Sequence, residues 1–200
     1  MTDQQHKTER LAPPTQGETG SAATLSLPPR YQVLDALGEG GMGMVYRARD
    51  LETGEVVALK VLRPELAGDT TMLERFKNEL RLARRITHKN VCRIYDFNRT
   101  ASIAYITMEY VDGESLRAFL KRVGKMSHER VLDLADQICE GLAEAHAQRV
   151  IHRDLKPENV MIARDGTVKL MDFGIARLSG GSTTTSQTLI GTPTYRWLLP

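Results

Sequence analysis

The sequence predicts an α+β protein of two lobes with a cleft between them. Three observations predict it: strand-like segments over residues 31–62, helical periodicity over 71–86 and 127–148, and a separate hairpin within 152–174. A β-rich lobe holding one helix, followed by a helical lobe carrying a hairpin, leaves a groove where the two meet.

Each element has a local cause. Residues 1–29 are rich in Pro, Gly, Ser, Thr and Gln. They cannot bury enough apolar surface to offset the entropy of ordering, so they read as a disordered tail. "YQVLDAL" is a strand, "GEGGMG" interrupts it, "MVYRARD" is a second strand, "LETGE" turns, and "VVALKVL" is a third. Alternation puts Val56, Ala58, Lys60 and Leu62 on one face of that third strand. Over Thr71–Ile86 the period becomes helical, with Met72, Phe76, Leu80 and Ala83 in one stripe and Thr71 with Glu74 fitting a capping box. Glu79 lies within or beside that stripe. "IAYITMEYV" is a further strand, after a weaker one around Val91–Phe97. Ser127–Gln148 forms a long helix whose main face carries Val131, Leu134, Ile138, Leu142 and Ala145. Leu132, Ala135, Cys139 and Ala143 widen its apolar arc, as in a helix buried on several sides.

Composition removes several classes of function. The chain has 200 residues, a net charge of +2 and 41% hydrophobic residues, which is ordinary for a globular protein. The charge is too balanced to make nucleic acid the main partner. No apolar run is long enough to span a bilayer, and the N-terminus lacks the apolar segment of a secretory signal. Cys92 and Cys139 stand apart with no metal-ligand spacing, so they read as reduced, buried thiols of a cytoplasmic protein.

The chemistry concentrates in "HRDLKPENVMIARDGTVKLMDFG", His152–Gly174. If Asp165-Gly166 is a two-residue hairpin turn, Asn159 falls opposite Asp172. Cross-strand Cβ atoms lie about 5 Å apart. An amide oxygen and a carboxylate at that spacing could ligate Mg²⁺ beside a substrate phosphate, or form a hydrogen-bonded pair at a strand end. Just upstream, Lys156 can neutralise phosphate charge and Asp154 can accept a proton from a hydroxyl.

"GEGGMGMV" fits G-x-G-x-x-G-x-V through Gly38, Gly40, Gly43 and Val45, with Glu39 and Gly41 between. Such a stretch is either a mere turn or a loop whose backbone amides reach phosphate. A dinucleotide fold would start a helix at the third glycine, and here a strand follows, which disfavours that fold. Lys60 either pairs with an anion or snorkels at a sheet edge. Glu79 is a plausible match for it.

Together these motifs resemble the protein kinases, and most closely the bacterial Hanks-type serine/threonine kinases. The matching stretches are the glycine loop at Gly38–Val45, "VALK" ending at Lys60, Glu79 on the next helix, "HRDLKPEN", "DFG" and "GTPTY" at Gly191–Tyr195. The resemblance implies an N-lobe and hinge over 30–111 and a partial C-lobe over 112–200. It implies ATP and Mg²⁺ as cofactors, with adenine between Val45 and Ala58 above and Met161 below. Met108 would be the gatekeeper, and Glu109 and Val111 would offer backbone hydrogen bonds. Lys60, held by Glu79, would bind phosphates. Asp172 and Asn159 would hold the metal, Asp154 would be the catalytic base, and Lys156 would touch the γ-phosphate. Proteins bearing Ser or Thr would be the substrates. Autophosphorylation between copies, at Thr183, Thr184, Thr185, Ser186 or Thr188, would pair with Arg153.

The resemblance stops after Tyr195. The family usually continues "MAPE", whereas this chain reads "RWLLP". A truncated or frame-shifted product, poorly stable and weakly active, is therefore the expectation. A nucleotide-binding or regulatory fragment without phosphotransfer is the competing reading.

Overall fold

The computed structural model describes residues 27–40, 42–100 and 103–173. Two antiparallel sheets frame it. The larger has the order β1-β2-β3-β5-β4, built from Tyr31–Gly40, Gly43–Asp50, Val56–Leu62, Ala104–Glu109 and Ile94–Arg99 as β1, β2, β3, β5 and β4. The smaller joins β6 (Gly113–Ser115), β7 (Val160–Ala163) and β8 (Val168–Leu170). The helices are α1 (Pro64–Gly68), α2 (Thr70–Ala83), α3 (Leu116–Val123) and α4 (His128–Ala147).

The period-two pattern of β3 decides how the large sheet is covered. Ala58 and Leu62 join a cluster with Phe76 and Leu80 of α2 and with Ile106 and Met108 of β5. Val57, Leu59 and Val61 face the other way, against Tyr31, Ala48 and Tyr105. The Tyr31 and Tyr105 rings meet edge to face at 5.9 Å. A third cluster, with Leu134, Ala145, Val160, Ile162, Val168 and Leu170, packs α4 under the small sheet. Val91 bridges to Leu170 in parallel, so the segment before β4 is tied to β8 rather than to its own sheet.

Four expectations are corrected. Helix α2 is capped by Asp69, whose carboxylate accepts from the Met72 amide, and not by a Thr71–Glu74 box; Glu74 pairs with Lys77 instead. A carboxylate is the better acceptor for the first orphan amides, so the helix starts one residue early. The buried stripe runs through Leu73, Phe76, Leu80 and Ala83, with Met72 half-buried. On α4, Leu134 and Ala145 are buried, but Val131, Leu132, Ala135 and Ala143 are exposed. Cys139 is exposed with them, whereas Cys92 is buried and its thiol is pushed up by desolvation. The β7–β8 turn is the fourth. Ala163 donates to Thr167 and Gly166 donates to Ala163, both at 2.9 Å, closing a three-residue loop over Arg164, Asp165 and Gly166. Gly166 supplies the positive φ (88°) that this loop requires. The register becomes Val160↔Leu170 and Ile162↔Val168, so Asn159 is not in register with Asp172. Its carbonyl accepts from the Met171 amide instead.

Candidate active site

Lys60 lies on the α2-facing side of β3 and is almost fully buried. A buried ammonium must find an anion. It donates to both carboxylate oxygens of Asp172, at 2.7 and 2.8 Å. Asp172 has left β8 with φ 59°, a left-handed turn.

Glu79 is therefore not the partner of Lys60, contrary to the expectation. It sits half-buried on α2 and accepts from Arg153 Nη1 through both oxygens, at 2.8 and 2.9 Å. Arg153 also has positive φ, 66°. The structure thus holds two crossed pairs, Lys60 with Asp172 and Arg153 with Glu79. Each neutralises one buried or half-buried charge, which is why neither sequence-adjacent motif keeps its charge to itself. The expected phosphate partners of Arg153, from Thr183 to Thr188, lie outside the described residues, as do Gly174 and the "GTPTY" stretch.

The segment between His152 and β7 brings the remaining polar groups together. Lys156 Nζ is 2.7 Å from Asp154 Oδ2. Pro157–Asn159 forms a single 3₁₀ turn with Pro157 in its first position, where a missing amide costs nothing. That turn aims the Asn159 amide nitrogen at Asp154, to its carbonyl at 2.8 Å and to its carboxylate at 3.0 Å. Nδ2 is spent on Asp154, so Oδ1 is the atom with which Asn159 could ligate a metal. Beside it, Arg117 of α3 holds Glu158 at 2.9 Å and keeps its carboxyl below the usual range.

An apolar wall faces these groups. Val45 pairs with Lys60 across β2–β3, and Ala58 with Met108 across β3–β5. Val45, Ala58, Met108, Val111 and Met161 belong to one cluster. The glycine loop closes over its end: Gly40 pairs with Gly43, and Gly41 lies outside the described residues. A Cβ on Gly43 would come within 1.8 Å of the Val61 carbonyl, so only glycine fits where β2 starts against β3. Glu39 is held by Arg63 at 2.9 Å, and the Met42 side chain tucks into the core.

Residues 31–197 match the protein kinase domain family. The chain belongs to that family. Among its relatives, serine/threonine-protein kinase pkn2 of Myxococcus xanthus is 45% identical over 179 residues, which is 86% of this chain and 21% of that protein. A probable serine/threonine-protein kinase of Streptomyces coelicolor is 43% identical over 173 residues, 83% of this chain and 26% of the relative. The kinase domain of Mycobacterium tuberculosis PknI, a point variant, superposes with a TM-score of 0.63 at 31% identity, over 74% of this chain and 60% of that one. The fold is thus the two-lobed kinase fold, with β1–β5 and α2 as its first lobe. The chain spans about a quarter of the length of the curated relatives it matches.

In this kinase fold, His152 and Phe173 tie the polar segments to the core. Their rings lie 4.5 Å apart, and both are buried. Neither imidazole nitrogen has a hydrogen-bond partner among the described residues, and burial lowers the His152 pKa from its ordinary 6.5. Sequence reading singled out neither His152 nor the Glu79–Arg153 pair. The tilted packing of one ring on another and a contact between residues 74 positions apart have no periodicity to betray them.

Among the described residues, no helix is long and apolar enough to cross a membrane.

Proposed function

We propose that the chain is the catalytic region of a serine/threonine protein kinase, transferring the γ-phosphate of ATP to Ser or Thr hydroxyls of proteins in the cytoplasm. Residues 30–111 form its N-lobe and hinge, and 112–200 the C-lobe portion. The observation that carries the reading is a single strip holding Lys60, Asp172, Asn159, Asp154 and Lys156, which borders the apolar wall of Val45, Ala58, Met108 and Met161. A flat base suits the wall and a phosphate chain suits the strip.

The roles follow from the chemistry. The adenine base packs on Val45, Ala58 and Met161, with Met108 behind it and the main chain of Glu109 and Val111 at its edge. The amides of Gly38–Gly43, including Glu39, Gly40 and Gly41, approach the phosphates. Lys60 carries the α- and β-phosphates once it exchanges Asp172 for them, and Glu79 exchanges Arg153 for Lys60 in the same step. Asp172 and the Asn159 amide oxygen are hard oxygen donors and fit Mg²⁺. When bound, that ion neutralises charge on the phosphates. Asp154 accepts the proton of the substrate hydroxyl, and Lys156 neutralises the transferred group. Copies of the chain act on one another at Thr183–Thr188.

Transfer of labelled phosphate from ATP to a basic Ser/Thr peptide, compared between the wild type and Asp154→Ala, tests the proposal. Transfer by the wild type alone is expected. Nucleotide binding with no transfer by either protein would leave a regulatory fragment in its place.

A further inference from the structure

Glu109 ends β5 where three segments meet. Its carboxylate accepts from the Arg93 amide at 3.1 Å and pairs with Lys169 Nζ of β8 at 2.6 Å. Its own amide donates to the Arg93 carbonyl at 2.8 Å, and its carbonyl lies 3.6 Å from Cys92 Sγ. Lys169 is cross-strand to Met161, so both side chains rise from the same face of the small sheet. That face is the floor of the site described above. The Lys169 side chain is 17% exposed and that of Glu109 26%, so solvent screens the pair incompletely.

We infer that Lys169 is a positioning residue: through Glu109 it fixes the main chain at the adenine edge relative to the Met161 floor. The inference rests on the kinase reading and adds to it a determinant of nucleotide affinity. The floor and the edge belong to different sheets. The main chain joins the two sheets only indirectly at this point: Glu109 pairs with Val57 of β3 and donates to Arg93, and the neighbouring Cys92 amide donates to Leu170 of β8 at 2.9 Å. The Lys169 ammonium adds a direct side-chain tie from β8 to Glu109. Its loss leaves the Glu109 carboxylate with the Arg93 amide alone, and the gap between edge and floor becomes a softer coordinate that a bound base must then order.

Calorimetric titration of the full chain with ATP and Mg²⁺ tests this, with the melting temperature of the ligand-free protein taken in parallel. Lys169→Met keeps the apolar stem and is expected to weaken binding about three- to tenfold, the range of a coupled pair in contact. Lys169→Arg is expected to restore binding to within about twofold, because its fork still reaches Glu109. The exchange Lys169→Glu with Glu109→Lys is expected to recover part of the loss. Equal affinity of the wild type and Lys169→Met overturns the inference. So does a loss in Lys169→Met that Lys169→Arg shares, or one that tracks the ligand-free melting temperature across the variants. No binding by the wild type itself overturns the kinase reading, and the inference with it.

Discussion

The five-stranded sheet and the segment from Arg149 to Asp172 are built on different principles. At the centre of the sheet, β3 pairs with β2 and β5 in unbroken register by alternation of apolar side chains, and Leu59 there is fully buried. In the later segment, the backbone bends where no regular element would. The non-glycine residues with positive φ among those described are Arg149, Arg153 and Asp172. Two of these three make the crossed ion pairs of the site. A left-handed turn at a non-glycine residue costs about 1–2 kcal/mol. The sheet is held by packing that would form without any function, whereas the loop is held by polar contacts among the candidate site residues.

The first way to break this contrast is through the sheet. Leu59→Ala removes a side chain that touches Val57, Val61 and Tyr105 in a closed cluster. The expected loss is about 2–5 kcal/mol by chemical denaturation. A loss below about 1 kcal/mol would mean that the sheet does not rest on its packing.

Next in size comes the site itself. Lys60→Met keeps the buried stem and deletes the ammonium, leaving the Asp172 carboxylate without its partner. The expected result is a fall in kcat/KM of about a hundredfold or more in the phosphotransfer assay. Folding should be affected less than by Leu59→Ala, since Asp172 is a third exposed and water can reach it.

The contrast also explains what was legible in the sequence. The strands of the first lobe and the two faces of β3 are set by which side chains are apolar, and alternation displays that directly. The site residues were legible as motifs because each keeps its place along the chain. Their pairing was not legible. Lys60 had two carboxylates within reach of its fold, Glu79 and Asp172, and no pattern in the chain weighs one against the other. That choice depends on the positive φ of Arg153 and Asp172, which non-glycine residues rarely adopt and which no local signal announced. The β7–β8 register failed for a similar reason. Asp165-Gly166 suits a two-residue turn, but the Asp165 carboxylate accepts from the Thr167 amide at 2.9 Å and draws Arg164 into the loop as well.

A smaller effect sharpens the comparison at one backbone position. Arg153→Gly and Arg153→Ala both lose the Glu79 pair, but only alanine retains the cost of φ 66°. Glycine loses about 0.4–1 kcal/mol more chain entropy on folding. The left-handed penalty of about 1–2 kcal/mol exceeds this, so Arg153→Gly should melt higher than Arg153→Ala. In the sheet the order must reverse: Ala48→Gly, at a fully buried position of β2, should melt lower than the parent. The same order at both positions would refute the division of labour between packing and bent backbone.

The smallest effect is a pH slope, and its sign can be fixed in advance. His152 is buried against Phe173, and that burial holds its folded pKa below the ordinary 6.5. Above that ordinary value both folded and unfolded states hold a neutral imidazole, and the group contributes nothing to the pH dependence. As pH falls through 6.5 the unfolded chain takes up the proton first, so stability starts to drop there. The loss keeps growing until the depressed folded value is reached. His152→Phe retains a ring against Phe173 and cannot titrate. Between pH 7.5 and about pH 5 the melting temperature of the wild type should therefore fall further than that of the variant. Parallel curves would mean that His152 charges as easily in the folded chain as in the unfolded one, and that the ring is not sealed from water as its packing on Phe173 requires.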